Sequence, residues 1–183
     1  TLKNYNGKIE KNIEITGNSK TDFKQFQASI NSQFNDFVIN MNEAEIYQWD
    51  AIYPDEATIK QDIDNNDLYI GIVDEKIAVI YVINNSCDEE YNNGDWQYPD
   101  IKYRIIHRFC VHPDFQNKGV GKITMEYIES KLSNAGIESI RLDAFTKNPY
   151  ALKLYKNLGY KIVGYADWRM GRFYLMEKYL TGN

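Results

Sequence analysis

Seven residues, Gln116-Asn117-Lys118-Gly119-Val120-Gly121-Lys122, stand between a strand-like run and a helix-like run and carry the clearest chemistry in the chain. Two glycines one residue apart let main-chain N–H groups approach a ligand closely. The first turn of a helix adds N–H donors that have no partner inside the helix, and the positive end of its dipole. Together these features bind anions, phosphate above all. Lys118 and Lys122 add positive charge. A flexible turn that only starts a helix would show the same glycines, so the pattern alone leaves both readings open. Two better-known phosphate loops are excluded. Gln116 stands where the Walker pattern needs its first glycine, and Ile123 where it needs Ser or Thr. Thr124 stands where the dinucleotide fingerprint needs a third glycine.

The elements that must position this loop are legible around it. Tyr103 to Val111 reads as a strand, with Tyr103, Ile105, His107, Phe109 and Val111 sharing one face of an ideal pleat. His112-Pro113-Asp114-Phe115 reads as a turn. A helix follows from about Gly119, with Val120, Ile123, Tyr127, Ile128, Lys131 and Leu132 along its inner face, and Gly136 suits its left-handed stop. Ser139 to Asp143 is strand-like. Asn148 can cap a helix that begins at Pro149 and stops at Gly159. Strands around 160–166 and 172–179 follow. Upstream, Phe23, Phe26, Ile30, Phe34 and Phe37 trace a helix stripe that Thr21 or Asp22 can cap. A short helix is expected from Pro54, with Ile59 and Ile63 buried. Strands at 68–73 and 77–83 flank a turn at Asp74-Glu75. Residues 84–100 are polar and acidic and read as a long loop. The order is mixed α/β.

Composition bounds the function. The chain has 183 residues, 43% hydrophobic and 26% charged, which fits one globular domain able to bury about 70% of its unfolded surface. The net charge of −5 argues against broad nucleic-acid binding. No apolar run approaches the roughly 20 residues a membrane span needs, so no membrane partner is expected, and no export signal is seen at the start. Cys87 and Cys110 are too few for a disulfide scaffold and read as reduced thiols, hence a cytoplasmic location. His107 and His112 are separated by five positions, with Pro113 just after the second, and no metal is expected.

The run Phe109-Cys110-Val111-His112-Pro113, followed by Gln116 to Gly121, resembles the acyl-CoA site of the GNAT superfamily of N-acyltransferases. The family pattern is Gln or Arg, two residues, Gly, one residue, then Gly or Ala. A second match is Asn148-Pro149-Tyr150-Ala151-Leu152-Lys153-Leu154-Tyr155-Lys156-Asn157-Leu158-Gly159-Tyr160, which is similar to the family's fourth helix. The resemblance spans about residues 67–179 and fits the first sixty only loosely. It implies a single acetyltransferase domain over 1–183. The implied fold is α/β, with a mixed, mostly antiparallel central sheet, a splayed central strand pair and helices on both faces.

The resemblance also implies roles. The strand at 103–111 is bulged, and the pantetheine arm of acetyl-CoA pairs with main chain at Phe109, Cys110 and Val111. The pyrophosphate meets the N–H groups of Asn117, Lys118, Gly119, Val120, Gly121 and Lys122, with Gln116 opening the motif. A main-chain N–H near Phe109 or Cys110 holds the thioester oxygen, a contact worth ~3 kcal/mol. Tyr155 lies beside the sulfur and protonates the leaving thiolate, unless it is only a core aromatic next to Leu154 and Leu158. Asn148 binds the CoA arm, a role compatible with capping. His107 is the candidate general base, unless it is only a packed strand histidine satisfied by a neighbour, with Glu89 and Glu90 of the acidic loop as rivals.

The segment holding Tyr47, Trp49, Asp50 and Tyr53 roofs the acceptor side in this family. Trp49 and Tyr53, with Glu89, are the candidate substrate residues; ordinary packing is the alternative. The expected activity is transfer of an acetyl group from acetyl-CoA to a primary amine of a small molecule, by direct attack in a ternary complex. Cys110 has no obvious activating partner for an acyl-enzyme route. Alternatives are a CoA-binding sensor without turnover, or an enzyme acting on a protein N-terminus or lysine. The partner expected is a small-molecule amine, and the chain is expected to be a monomer or homodimer.

Overall fold

A computed structural model of the chain describes residues 11–12, 20–50, 52–73 and 76–180, with side chains from residue 28 onward. The turn expected at Asp74-Glu75, and the side chains of Phe23 and Phe26, lie outside the described residues. The chain divides into two compact units.

The first unit holds residues up to Val82 and the segment Arg108–Val120. Its helix α1 spans Lys20–Glu43. Thr21 and Asp22, the expected caps, therefore lie within the first turn. Ile30, Phe34, Phe37 and Met41 are buried along α1, which is the spacing of one helix face. Helix α2 spans Glu56–Asp64, and Asp55 caps it by accepting from the Thr58 N–H. The start expected at Pro54 thus moves two residues on, because the Asp55 side chain takes the cap. A short strand β1 (Lys11–Asn12) pairs antiparallel with β2 (Leu68–Val73), and β2 pairs antiparallel with β3 (Lys76–Asn84). The end of β4 (Tyr103–Val111) lies along β3, and the His112 N–H donates to the Ala78 carbonyl at 2.9 Å.

The second unit holds Ile83–His107 and Gly121–Asn183. Here the start of β4 runs parallel to β5 (Ser139–Phe145). Strand β5 is antiparallel to β7 (Gly171–Tyr179), which is antiparallel to β6 (Lys161–Trp168). Helix α3 spans Val120–Asn134 and α4 spans Pro149–Asn157. Gly136 and Gly159 take positive φ just after these helices, the left-handed stops that their positions predict. The buried side of α3 differs from expectation at one row. Tyr127 and Lys131 are exposed, while Thr124 and Met125 join Val120, Ile128 and Leu132 in the core. A tyrosine with its polar tip suits the helix edge, and the small Thr124 fits inward instead.

The long loop is more ordered than its composition suggests. Glu89–Asn93 forms a 3-10 turn. Tyr91 is buried with Ile105, Ala166 and Leu175, and Trp96, Tyr103, Val163 and Trp168 pack around them. The Asp95 N–H donates to the Val163 carbonyl at 2.7 Å. A Cβ placed on Gly164 would meet the Asn93 carbonyl oxygen at 2.6 Å. Below this, Arg141 lies 4.3 Å from the Trp96 ring and 3.8 Å from that of Tyr103. Its Nε donates to the buried Glu177 at 3.2 Å, whose other oxygen accepts from the Gln97 N–H at 2.9 Å. The arrangement as a whole is the mixed, mostly antiparallel α/β fold that the sequence predicts, with helices flanking its strands.

Candidate active site

In the first unit the loop after β4 has the backbone of an anion cradle. Pro113–Phe115 makes a 3-10 turn in which the His112 ring accepts from the Asp114 N–H. His112 is therefore part of the turn. Asn117 and Gly119 then adopt φ of 58° and 83°. Left-handed residues alternating with ordinary ones turn successive N–H groups toward one concavity. The first turn of α3, whose N–H groups have no carbonyl partner within the helix, follows at once. These residues fit a diphosphate. Gln116 braces the loop: its amide donates to the Val111 carbonyl at 3.0 Å and reaches Asn40 at 3.4 Å. Lys118 is exposed, its ammonium 5.9 Å from the Phe115 ring. Lys122 is exposed and pairs with Glu126 at 3.6 Å.

Strand β4 departs from the ideal pleat at Arg108, whose φ is +49°. The left-handed region costs a side-chain-bearing residue of order 1 kcal/mol, so something must hold it. Its guanidinium donates to buried Asp62 on α2 at 2.5 Å and to the Tyr53 hydroxyl at 2.7 Å. Burial raises the Asp62 carboxyl above the ordinary carboxylate range, and the Arg108 charge opposes that rise. The expected face shared by Tyr103, Ile105, His107, Phe109 and Val111 is therefore interrupted between His107 and Phe109. Arg108 carries no motif; a charged residue directly before the apolar run Phe109-Cys110-Val111 was its only signal. Cys110, two residues on, is wholly buried, and burial pushes its thiol far above the ordinary range. Phe109 packs against Tyr81 with ring centroids 6.3 Å apart.

In the second unit, β4 and β5 pair only from Tyr103↔Ser139 to Ile106↔Leu142. His107 and Asp143 are the next residue on each strand. Alternation puts His107 on the face of Ile105 and Asp143 on the face of Arg141, and Ile105 and Arg141 are register partners. Both side chains therefore project from one face at the point where the strands part. The Tyr91 hydroxyl donates to Asp143 at 2.8 Å. Burial and the Asp143 charge hold Tyr91 well above its ordinary value, so it remains a protonated donor. Asp143 escaped the sequence reading. Its signal was the polar-apolar-polar run Arg141-Leu142-Asp143 within a strand.

On α4, Asn148 is the cap, accepting from the Ala151 N–H at 3.0 Å. Tyr155 is buried and meets Tyr160 edge to face at 5.8 Å. The Tyr160 hydroxyl is held well above its ordinary value by burial and by the Glu129 carboxylate.

Trp49 is buried, its ring 5.6 Å from Phe34 and 5.3 Å from Phe37, so it serves the packing of α1. Asp50 accepts from the N–H groups of Ile52 and Tyr53 and shapes their turn. Tyr53 is exposed and tied to Arg108. Glu89 is exposed at the start of the 3-10 turn. Among the described residues no group of three His, Cys, Asp or Glu side chains could hold a metal ion, and no helix is long and apolar enough to cross a membrane.

Known proteins are similar to this chain. The chain aligns with ribosomal protein bS18-alanine N-acetyltransferase of Salmonella typhimurium at 31% identity over 55 residues, 30% of this chain. That stretch spans 37% of the relative's length. An acetyltransferase structure from Streptococcus agalactiae superposes with a TM-score of 0.68 at 20% identity, covering 88% of this chain and 91% of that one. One from Listeria monocytogenes gives 0.67 at 21% identity, covering 85% and 90%. The family model of the GNAT acetyltransferases matches residues 35–160, a stretch that contains the cradle, the parting strands and the whole of α4. The chain belongs to the GNAT acetyltransferase family.

Proposed function

We propose that the chain acts as one domain that transfers an acetyl group from acetyl-CoA, the family's acetyl donor, to a primary amine by direct attack. The observation that carries this reading is the loop after β4. Left-handed Asn117 and Gly119 open directly into α3, a main-chain shape suited to the donor's diphosphate. The N–H groups of Asn117 to Lys122 bind that diphosphate, and main chain at Phe109, Cys110 and Val111 pairs with the pantetheine arm. A main-chain N–H near Phe109 or Cys110 meets the thioester oxygen as charge develops on it. Asn148 contacts the arm while capping α4.

A protonated amine has no lone pair, so attack requires a base. His107 takes that proton. Tyr155 gives a proton to the departing thiolate. The buried, neutral Cys110 thiol supports direct attack rather than an acyl-enzyme, because only a thiolate is nucleophilic.

The acceptor is a primary amine on a small molecule. A second acceptor, the N-terminal amine of a protein, is favoured by the local similarity to the bS18-alanine enzyme. The test is thiol release from acetyl-CoA over a panel of small primary amines and an alanine-starting peptide. Release with one of them is expected. Tight CoA binding without release anywhere would instead make the chain a CoA-binding module. No binding of CoA would sink the reading.

A further inference from the structure

We propose that Asp143 is the anionic subsite that receives the ammonium group of the acceptor, and that Tyr91 from the β3–β4 segment is the residue that positions it. The inference rests on the acetyl-transfer reading and names a subsite for it.

The placement comes first. Asp143 is the first residue of β5 beyond its last pair with β4, and His107 is its counterpart on β4. Both project from the face that Tyr91 covers. An amine seated against Asp143 therefore stands beside the imidazole that removes its proton. The carboxylate attracts the cation, His107 accepts the proton, and the neutral amine that remains carries the lone pair for attack.

The second observation is how firmly Asp143 is held. Tyr91 Oη donates to Asp143 Oδ2 at 2.8 Å. The Tyr91 ring stacks on Trp96, centroids 5.7 Å apart, and lies 6.3 Å from Trp168. The Trp96 indole N–H donates to the Tyr91 carbonyl at 2.9 Å. The donor is thus fixed by its ring and by its own main chain. A hydrogen bond to the ionised form of a carboxyl favours that form.

The ionisable groups placed around this carboxylate are Arg141, His107, Cys87 and Asp88. Arg141, two residues earlier on the same face, is bonded to Glu177 on β7 and to the Tyr98 carbonyl at 3.0 Å. It is enclosed by the Trp96 and Tyr103 rings. His107 faces it from β4. On the covering segment, Cys87 and Asp88 act on Tyr91.

The experiment is steady-state kinetics with acetyl-CoA and the best amine of the wild-type panel, on Asp143→Asn and Tyr91→Phe, with melting curves to verify folding. Asp143→Asn should raise the amine KM about tenfold or more, leaving kcat and the acetyl-CoA KM within about threefold. Tyr91→Phe should raise the amine KM by about threefold and move the acid limb of kcat/KM to higher pH, a change that loss of packing alone would not produce. A collapse of kcat at unchanged amine KM in Asp143→Asn would overturn the subsite in favour of proton transfer. Unchanged kinetics in both variants would also overturn it. If the wild type acetylates nothing, the activity reading fails by itself. The subsite is then judged by NMR binding of 2-phenylethylamine against 2-phenylethanol. A preference for the amine that Asp143→Asn abolishes supports the subsite. Equal binding, or none, refutes it.

Discussion

Arg108 on β4 and Asp62 on α2 meet at 2.5 Å with their side chains only 10% and 8% exposed. Two buried charges this close depend on each other. Removing one leaves the other without compensation, which costs roughly 3–5 kcal/mol, whereas replacing both by apolar groups is often neutral. Asp62→Ala or Arg108→Met alone should therefore destabilise the chain by about 3 kcal/mol, and Asp62→Leu with Arg108→Met should recover most of it. Urea unfolding of the three variants checks this. Equal losses in the single and double variants would remove the pair as a unit.

Gly119 holds φ of 83° at the mouth of the proposed cradle. Gly119→Glu adds a side chain where the backbone resists one and a negative charge where phosphates are to bind. Calorimetry should show CoA affinity falling by about a hundredfold or more. Gly119→Ala adds the strain without the charge and should fall between the two. Affinity unchanged in Gly119→Glu would remove the loop from the cofactor site.

Tyr155 is the proposed acid. Tyr155→Phe keeps the ring against Tyr160 and removes only the hydroxyl, so kcat should fall by about a hundredfold while CoA affinity holds. Normal turnover would leave Tyr155 as a core aromatic of α4.

The regular elements were legible because their signals are local. The glycine stops of α3 and α4, the Asn148 cap and the alternation of β5 each lie within a few residues of what they determine. The parts that were missed depend on distant partners. Arg108 is held in its left-handed turn by groups 46 and 55 positions away, and no neighbour of Arg108 announces this. Asp143 acquires its meaning from a tyrosine 52 positions away, inside a segment that composition presents as a solvated loop. Trp49 shows the converse: an aromatic read as part of an acceptor roof is buried against α1, because a ring type does not say which side it covers.

Cys110 should be silent in chemical labelling. Cys87 is exposed and Cys110 buried, and burial disfavours the thiolate. A disulfide reagent should modify Cys87 rapidly in the native chain and Cys110 only on unfolding. Cys110→Ala should retain acetyl transfer. Abolished turnover in a folded Cys110→Ala variant would revive an acyl-enzyme.

Asp55 gives the fold an acid-sensitive helix end. Its hydrogen bonds from the Thr58 side chain and N–H hold the carboxyl below the ordinary value of 3.8. A depressed carboxyl contributes stability that is present above 3.8 and is lost as pH falls through the lowered value. Asp55→Asn keeps an acceptor but cannot titrate. Melting temperatures from pH 6 to pH 2 should fall less steeply in that variant than in the wild type, and parallel curves would show that the cap contributes nothing to acid sensitivity.

The segment from Tyr91 to Gln97 is joined to the strands beneath it by main-chain bonds at Asp95 and Gln97 and by the missing side chain of Gly164. Anyone seeking an inhibitor should treat it as masonry rather than as a flap. A compound that requires it to swing aside must break those joints, whereas one moulded to its present contour meets a surface already in its final form.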